Sequence, residues 1–426
     1  MPKSHLLDPI QILYGAQKPL VNDAVLIIDG EIKAFGEEAR EQGKQLGIKA
    51  QSSPSKLLAP CLVDPHSFLE EPVNSRCETL SSLRRKAAYA GFGQIALLPR
   101  SKTWRDQSSR LQGFNNSNSN SDIRIHLWGG FSEGGNGSKL SIHSELLQNG
   151  AIGLADDDTM IPVDLLNRGL KLEEIGVSPI LIAPRDLAIQ EDGIVRECVE
   201  ALRAGWAPDP VTSETIPLSQ ILQLHSQYPK TSLRLMNIST AKGVAMLENS
   251  KTKPMTSVCW WHLIKDTSSL SNNELGWRVV PSLGSPKDRT ALIKGVKKRT
   301  ITAIAVHSLP LDEEETILPP DKRLPGLSGY QLVLPLLWQE LVVKLKWKIE
   351  ELWEALSFGP SRMLNLNEES LIIGSKRWLI FDPEKVWVQN IDSQTNTYCA
   401  NEPLHGEEIQ GKVVDCGLKV EEVQSD

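Results

Sequence analysis

The sequence predicts an α/β fold, a parallel (β/α)8 barrel carrying a small composite β domain built from both ends of the chain. Three observations predict it. Short alternating strand patterns fill the first 57 residues, a repeated order of apolar strand, loop and helical-period segment runs from Leu58 onward, and short strands return after Asn365. Roughly seven or eight strand-helix units fit a barrel. An open doubly wound sheet satisfies the same alternation, and composition alone does not separate the two.

The expected division is 1–57 for the first part of a β-sandwich, 58–365 for the barrel, 366–416 for the second part of the sandwich, and 417–426 for an acidic tail. In the first part, Asp29-Gly30 lies between two apolar runs. That pair favours a two-residue hairpin, whose central residues both need positive φ. Barrel strands are expected at 57–64, 94–99, 123–127, 179–183, 233–238, 256–260 and 303–306, with helices over segments such as 77–90 and 287–298. The stretch 331–356 is apolar but interrupted by Glu340, Lys344, Lys346, Lys348, Glu350 and Glu351. It reads as one or two amphipathic helices, too charged to span a bilayer. The run 115–122 is a polar loop, and the Gly-rich run 129–137 a flexible one. Trp260-Trp261 is read as core.

Composition removes several function classes. In 426 residues, 46 Lys and Arg face 53 Asp and Glu, a net charge of −7, which argues against coating nucleic acid or an anionic membrane. No signal-peptide-length apolar run follows the N-terminus, and the six cysteines are too scattered for a Cys-x-x-Cys site. They are expected to be reduced thiols of a cytoplasmic protein. Phosphate-cradling, Gly-x-Ser-x-Gly and His-Glu-x-x-His motifs are absent. Glu402-Pro-Leu-His405 has ligand-like spacing, but Pro403 favours a surface turn.

One motif set is recognisable. Leu58-Ala-Pro-Cys-Leu-Val-Asp-Pro-His-Ser-Phe-Leu-Glu-Glu-Pro72 opens the barrel, and Gly150-Ala-Ile-Gly-Leu-Ala-Asp-Asp-Asp158 follows. Then come Asn237-Ile-Ser-Thr-Ala241, Arg278-Val-Val-Pro-Ser-Leu-Gly-Ser-Pro-Lys-Asp-Arg289 and Ile304-Ala-Val-His-Ser-Leu-Pro-Leu311. In this order the motifs resemble those of dihydroorotases, in the amidohydrolase superfamily. The resemblance spans about residues 20–390 and implies a barrel of the amidohydrolase type with a composite β-sandwich.

In the family, metal ions acidify a bridging water and polarise a cyclic amide, while an Asp moves the proton. The resemblance places the six ligand positions at His66, Phe68, Asp156, Ala183, Asn237 and His307. His66 and Asp156 are the residual ligands. His307 stands where the family has the catalytic Asp, and Phe68, Ala183 and Asn237 are lost ligands. Substrate positions are altered at Glu70, Arg100, Val280 and Leu311. Glu70 replaces an anion-binding Arg, and an Arg100–Glu70 salt bridge is expected to fill the old pocket.

The resemblance therefore implies a dihydroorotase-like protein of pyrimidine biosynthesis with no catalytic residues and no cofactor. Its expected role is structural. Partners are expected to be aspartate transcarbamoylase, as for inactive homologues of this family, or a second copy of the chain. The alternative is an active dihydroorotase or related cyclic amide hydrolase, interconverting dihydroorotate and N-carbamoyl-aspartate at a rearranged site. That reading needs zinc on His66, Asp156 and His307.

Overall fold

The computed structural model describes residues 4–73, 75–112, 123–172, 174–269, 278–319, 322–390 and 399–418. The polar run expected at 115–122 lies outside them. In chain order the first four strands are β1 (Ser4–Ile12), β2 (Val21–Ile28), β3 (Glu31–Phe35) and β4 (Ala50–Pro60). Next come β5 (Leu62–Ser67), β6 (Phe92–Leu97), β7 (Arg124–Gly130), β8 (Ala151–Ala155) and β9 (Pro179–Ile182). A two-stranded pair, β10 (Val195–Arg196) and β11 (Pro208–Asp209), precedes β12 (Ser232–Leu235), β13 (Met255–Cys259) and β14 (Ala303–Ala305). The chain ends with β15 (Trp378–Val388) and β16 (Glu408–Cys416).

The eight strands β5-β6-β7-β8-β9-β12-β13-β14 form one parallel sheet in that order. It closes beyond the strand ends, where Phe68 N donates to Ser308 O at 2.8 Å and Val306 N donates to the Asp64 carboxylate at 2.9 Å. The open-sheet alternative is thereby set aside. Val63, Ala96, Trp128, Ala155, Leu181, Met236 and Ala303, from six different strands and the end of β12, pack together inside. Parallel strands wrapped by helices are apolar on both faces, which is why they read as short continuous runs.

Both ends of the chain build one six-stranded sheet, ordered β3-β2-β1-β4-β15-β16. Its two faces are buried: Leu7, Val25 and Ile27 on one, Leu6, Ala24 and Leu26 on the other, beneath helix Gly36–Gln45. Successive residues of a strand point to opposite faces, so adjacent apolar residues serve both layers. The Asp29-Gly30 hairpin forms as expected, with φ of 52° and 74°.

The segment expected as one strand at 57–64 is two. Residues 57–60 pair with β15 in the terminal sheet, and Leu62 onward pairs with β6 in the barrel. Both pieces are apolar, so hydropathy carries no mark of the boundary at Cys61. Among the short strands expected after Asn365, β15 runs unbroken over Trp378–Val388. Gly417 still bonds Trp378 O and Leu418 is buried, so packing continues past the expected start of the tail. Gly129 and Gly130 finish β7 and 133–135 form a short 3-10 turn, so the run 129–137 is structured where a loose loop was expected.

The 331–356 stretch forms helical rods, α over Tyr330–Leu337 and π over Trp338–Lys344, then α over Ile349–Trp353 and π over Glu354–Phe358. No helix of the described residues is long and apolar enough to cross a membrane. Glu402 lies in an irregular stretch between the turn residues 401 and 405–406, and it pairs with Lys86 at 2.9 Å, which ties this stretch to helix Leu80–Tyr89.

Candidate functional site

The strand ends at the C-terminal face of the barrel gather the residues that the sequence singles out. On β5, Asp64 and His66 share one face because alternate strand residues align. Asp64 is fully buried and accepts from Ser67 Oγ, Val306 N and Tyr330 OH, the last at 2.8 Å. Burial pushes its carboxyl up to about 6 despite these donors. It is a structural clamp between the first and last barrel strands.

His66 is also fully buried. Its Nδ1 lies 3.0 Å from His307 Nδ1, and its Nε2 lies 2.7 Å from Ser257 Oγ. Burial drives His66 well below the usual imidazole range, helped by His307, and drives His307 down to about 3. Both rings are therefore neutral at neutral pH. One Nδ1 donates and the other accepts. His307 has φ 48° and Asn237 φ 51°, a left-handed geometry that costs non-glycine residues roughly 1–2 kcal/mol each.

Asp156 does not join them. Its two oxygens accept from Ser132 N at 2.8 Å and Ser132 Oγ at 2.7 Å, and burial pushes its carboxyl up to about 6. The next two acids face cations: Asp157 lies 3.2 Å from Arg100 and Asp158 3.1 Å from Arg185. Arg100 Nε stands 2.9 Å from Glu70, so the expected bridge across the pocket is present. The Arg100 guanidinium also lies 4.1 Å from the centre of the Phe68 ring, which meets the His307 ring edge-on with centroids 5.1 Å apart.

Outside this stack opens a cavity of about 680 Å3, with Glu70, Arg100, Val280 and Leu311 in its lining. Beneath it a much smaller cavity is lined by His307, Ala183, Asn237 and Arg185. The residues present do not fit a metal centre. His66 spends one nitrogen on Ser257 and the other on His307, Asp156 spends both oxygens on Ser132, and Phe68 and Ala183 offer no lone pair. Among the described residues no group of three His, Cys, Asp or Glu is placed to hold a metal ion.

Sequence reasoning brought His66, His307, Phe68, Glu70 and Arg100 to one place. It missed Ser257, Tyr330, Asp157 and Arg185. Ser257, inside the apolar run 255–259, carries no signal of its role, whereas Asp157 sits next to a residue already singled out.

A closed eight-stranded barrel with a composite terminal sheet and its polar groups at the strand ends is an amidohydrolase-type barrel. The L-hydantoinase of Arthrobacter aurescens superposes with TM-score 0.74 at 16% identity, covering 96% of this chain and 93% of that one. The dihydropyrimidinase of Brevibacillus agri gives 0.75 at 14%, covering 97% and 93%. At such identities the likeness speaks for the fold. No family model matches the chain. A probable dihydroorotase-like protein of Synechocystis sp. is 34% identical over 392 residues, 84% of this chain and 87% of that protein. The dihydroorotase of Ruminiclostridium cellulolyticum is 25% identical over 394 residues, 91% of each. The chain belongs to the dihydroorotase-like family, among the cyclic amide hydrolases of the amidohydrolase superfamily.

Proposed function

We propose that this chain is a non-catalytic dihydroorotase-like protein of pyrimidine biosynthesis that acts in the cytoplasm by binding a protein partner. The observation that carries the reading is the 3.0 Å contact between His66 Nδ1 and His307 Nδ1. Two neutral imidazoles bonded directly to each other leave no lone pairs converging on a metal, and no carboxylate stands at the family's proton-shuttle position. The Phe68–Arg100–Glu70 stack supports it, because it occupies the place where the family clamps an anionic substrate.

Aspartate transcarbamoylase is the first candidate partner, on the family resemblance alone. The protein is expected not to rescue growth of a dihydroorotase-deficient strain, and rescue would overturn the reading. In a mixture with the aspartate transcarbamoylase of its own organism, the two are expected to co-elute on gel filtration as a larger species. Separate elution at micromolar concentrations would remove that partner.

A further inference from the structure

The floor and the rim of the barrel mouth carry opposite chemistry. The small floor cavity, about 10 Å3, has room for a single oxygen-sized atom. His307 and Asn237 line it and are 4% and 5% exposed, and neither His307 Nε2 nor Asn237 Nδ2 has a hydrogen-bond partner. A buried donor without an acceptor is costly, so two in one cavity point to an acceptor that enters it.

Ser257 sets what His307 offers. Its hydroxyl oxygen accepts from Asn237 N at 2.9 Å, and of the acceptors its proton can reach, His66 Nε2 at 2.7 Å is much nearer than Leu235 O at 3.4 Å or Asn237 Oδ1 at 3.5 Å. The hydroxyl proton is therefore assigned to His66 Nε2. His66 then holds its own proton on Nδ1 and donates it to His307 Nδ1, which leaves the His307 proton on Nε2. Two carboxylates also line the floor, but both are engaged. Asp158 faces Arg185 at 3.1 Å, and Glu214 accepts from Thr240 Oγ1 and from Ser239 N and Oγ. His307 Nε2 and Asn237 Nδ2 are the donors that the floor leaves without an acceptor.

The larger cavity above shares Asp158, Arg185 and Val280 with the floor. At its rim, Glu70 and Asp157 share the single cation of Arg100, while Asp312 and Glu315 meet no cation within ion-pair distance among the described residues. Burial, with the neighbouring charges of Asp312 and Glu70 in addition, pushes the Glu315 carboxyl upward. The rim has a surplus of negative charge.

We propose that the mouth binds a small amphoteric molecule, with a carboxylate or carbonyl oxygen on His307 Nε2 and Asn237 Nδ2 and an ammonium or guanidinium group against Glu315, Asp312 and Glu70. An anion lacking a cationic end leaves the rim unmatched. The inference rests on the non-catalytic reading, because a metal on His66 or His307 would break the contact that orients the floor.

The test is a thermal-shift and calorimetric screen of the purified full chain with ω-amino and ω-guanidino carboxylates of increasing chain length. Alkyl carboxylates and alkylguanidines of matched length serve as one-ended controls. At least one two-ended compound is expected to raise the unfolding midpoint and to bind about tenfold or more tightly than either control. Glu315→Gln keeps the acceptor that caps Asp312 N, and Asn237→Asp exchanges donors for acceptors; each is expected to weaken binding about tenfold. A floor that holds only a buried water gives no binding by any two-ended compound, or equal binding by the controls, and either result overturns the proposal. So does unchanged affinity in a folded Glu315→Gln protein. Zinc retention with dihydroorotate turnover would overturn the non-catalytic reading as well. Absence of both, with no binding, overturns the ligand proposal alone.

Discussion

Phe68 decides what the end of β5 can do. A His there would align with His66 on one face of the strand and offer a second nitrogen, but the phenyl ring instead packs against the Arg100 guanidinium and His307. Around it the buried polar groups hold one another. Tyr330→Phe removes one of three donors to the buried Asp64 carboxylate and is expected to cost about 1–3 kcal/mol in urea unfolding. A second residue gives a pH test. His262 is buried with Nε2 3.0 Å from Pro281 O, and burial pushes it down to about 4. The unfolded chain takes up this proton near pH 6.5 and the folded one only near 4, so stability contributed by the neutral ring falls as pH drops through that window. Relative to His262→Gln, which keeps a donor, the unaltered protein is expected to lose about 2 kcal/mol between pH 7 and 5. Asp64 and Asp156, pushed up to about 6, act in the opposite sense, and the paired comparison cancels them.

Elements were legible where local chemistry alone sets them. Asp29-Gly30 marked its hairpin because both positions need positive φ. A Cβ on Gly30 would meet its nearest atom only at 3.7 Å, so Gly30→Ala tests the backbone alone. The substitution is expected to cost about 1 kcal/mol, read as a lower urea midpoint with an unchanged slope. The break between β4 and β5 was not legible, since it depends on which sheet each half joins and both halves are apolar. In the site, Phe68, Glu70 and Arg100 were readable as departures from a motif, and their pairing followed from charge. Ser257 was not, because a serine on a buried strand acquires a role only when the barrel closure brings His66 of β5 within reach of it. Asp156 shows the reverse case: the motif singled it out, but only the fold shows that Ser132 takes both of its oxygens.

At the scale of the molecule, the terminal sheet and the barrel are joined by buried polar contacts as well as by apolar packing. Arg377 reaches Gly93 O at 2.8 Å while Glu369 accepts from Gln94 Nε2 at 2.9 Å, linking the segment before β15 to the start of β6. This joint lies at the N-terminal end of the barrel strands, away from the mouth, so the scaffold persists independently of what the mouth does. The family fold is thus kept while the polar groups at its strand ends are bonded to one another. The most direct test of that claim is metal content. After expression in zinc-supplemented medium and desalting, elemental analysis is expected to find less than about a tenth of an equivalent of zinc per chain, because a lone imidazole does not retain the ion. Close to one equivalent or more, lost on replacing His66 with Ala, would contradict the account.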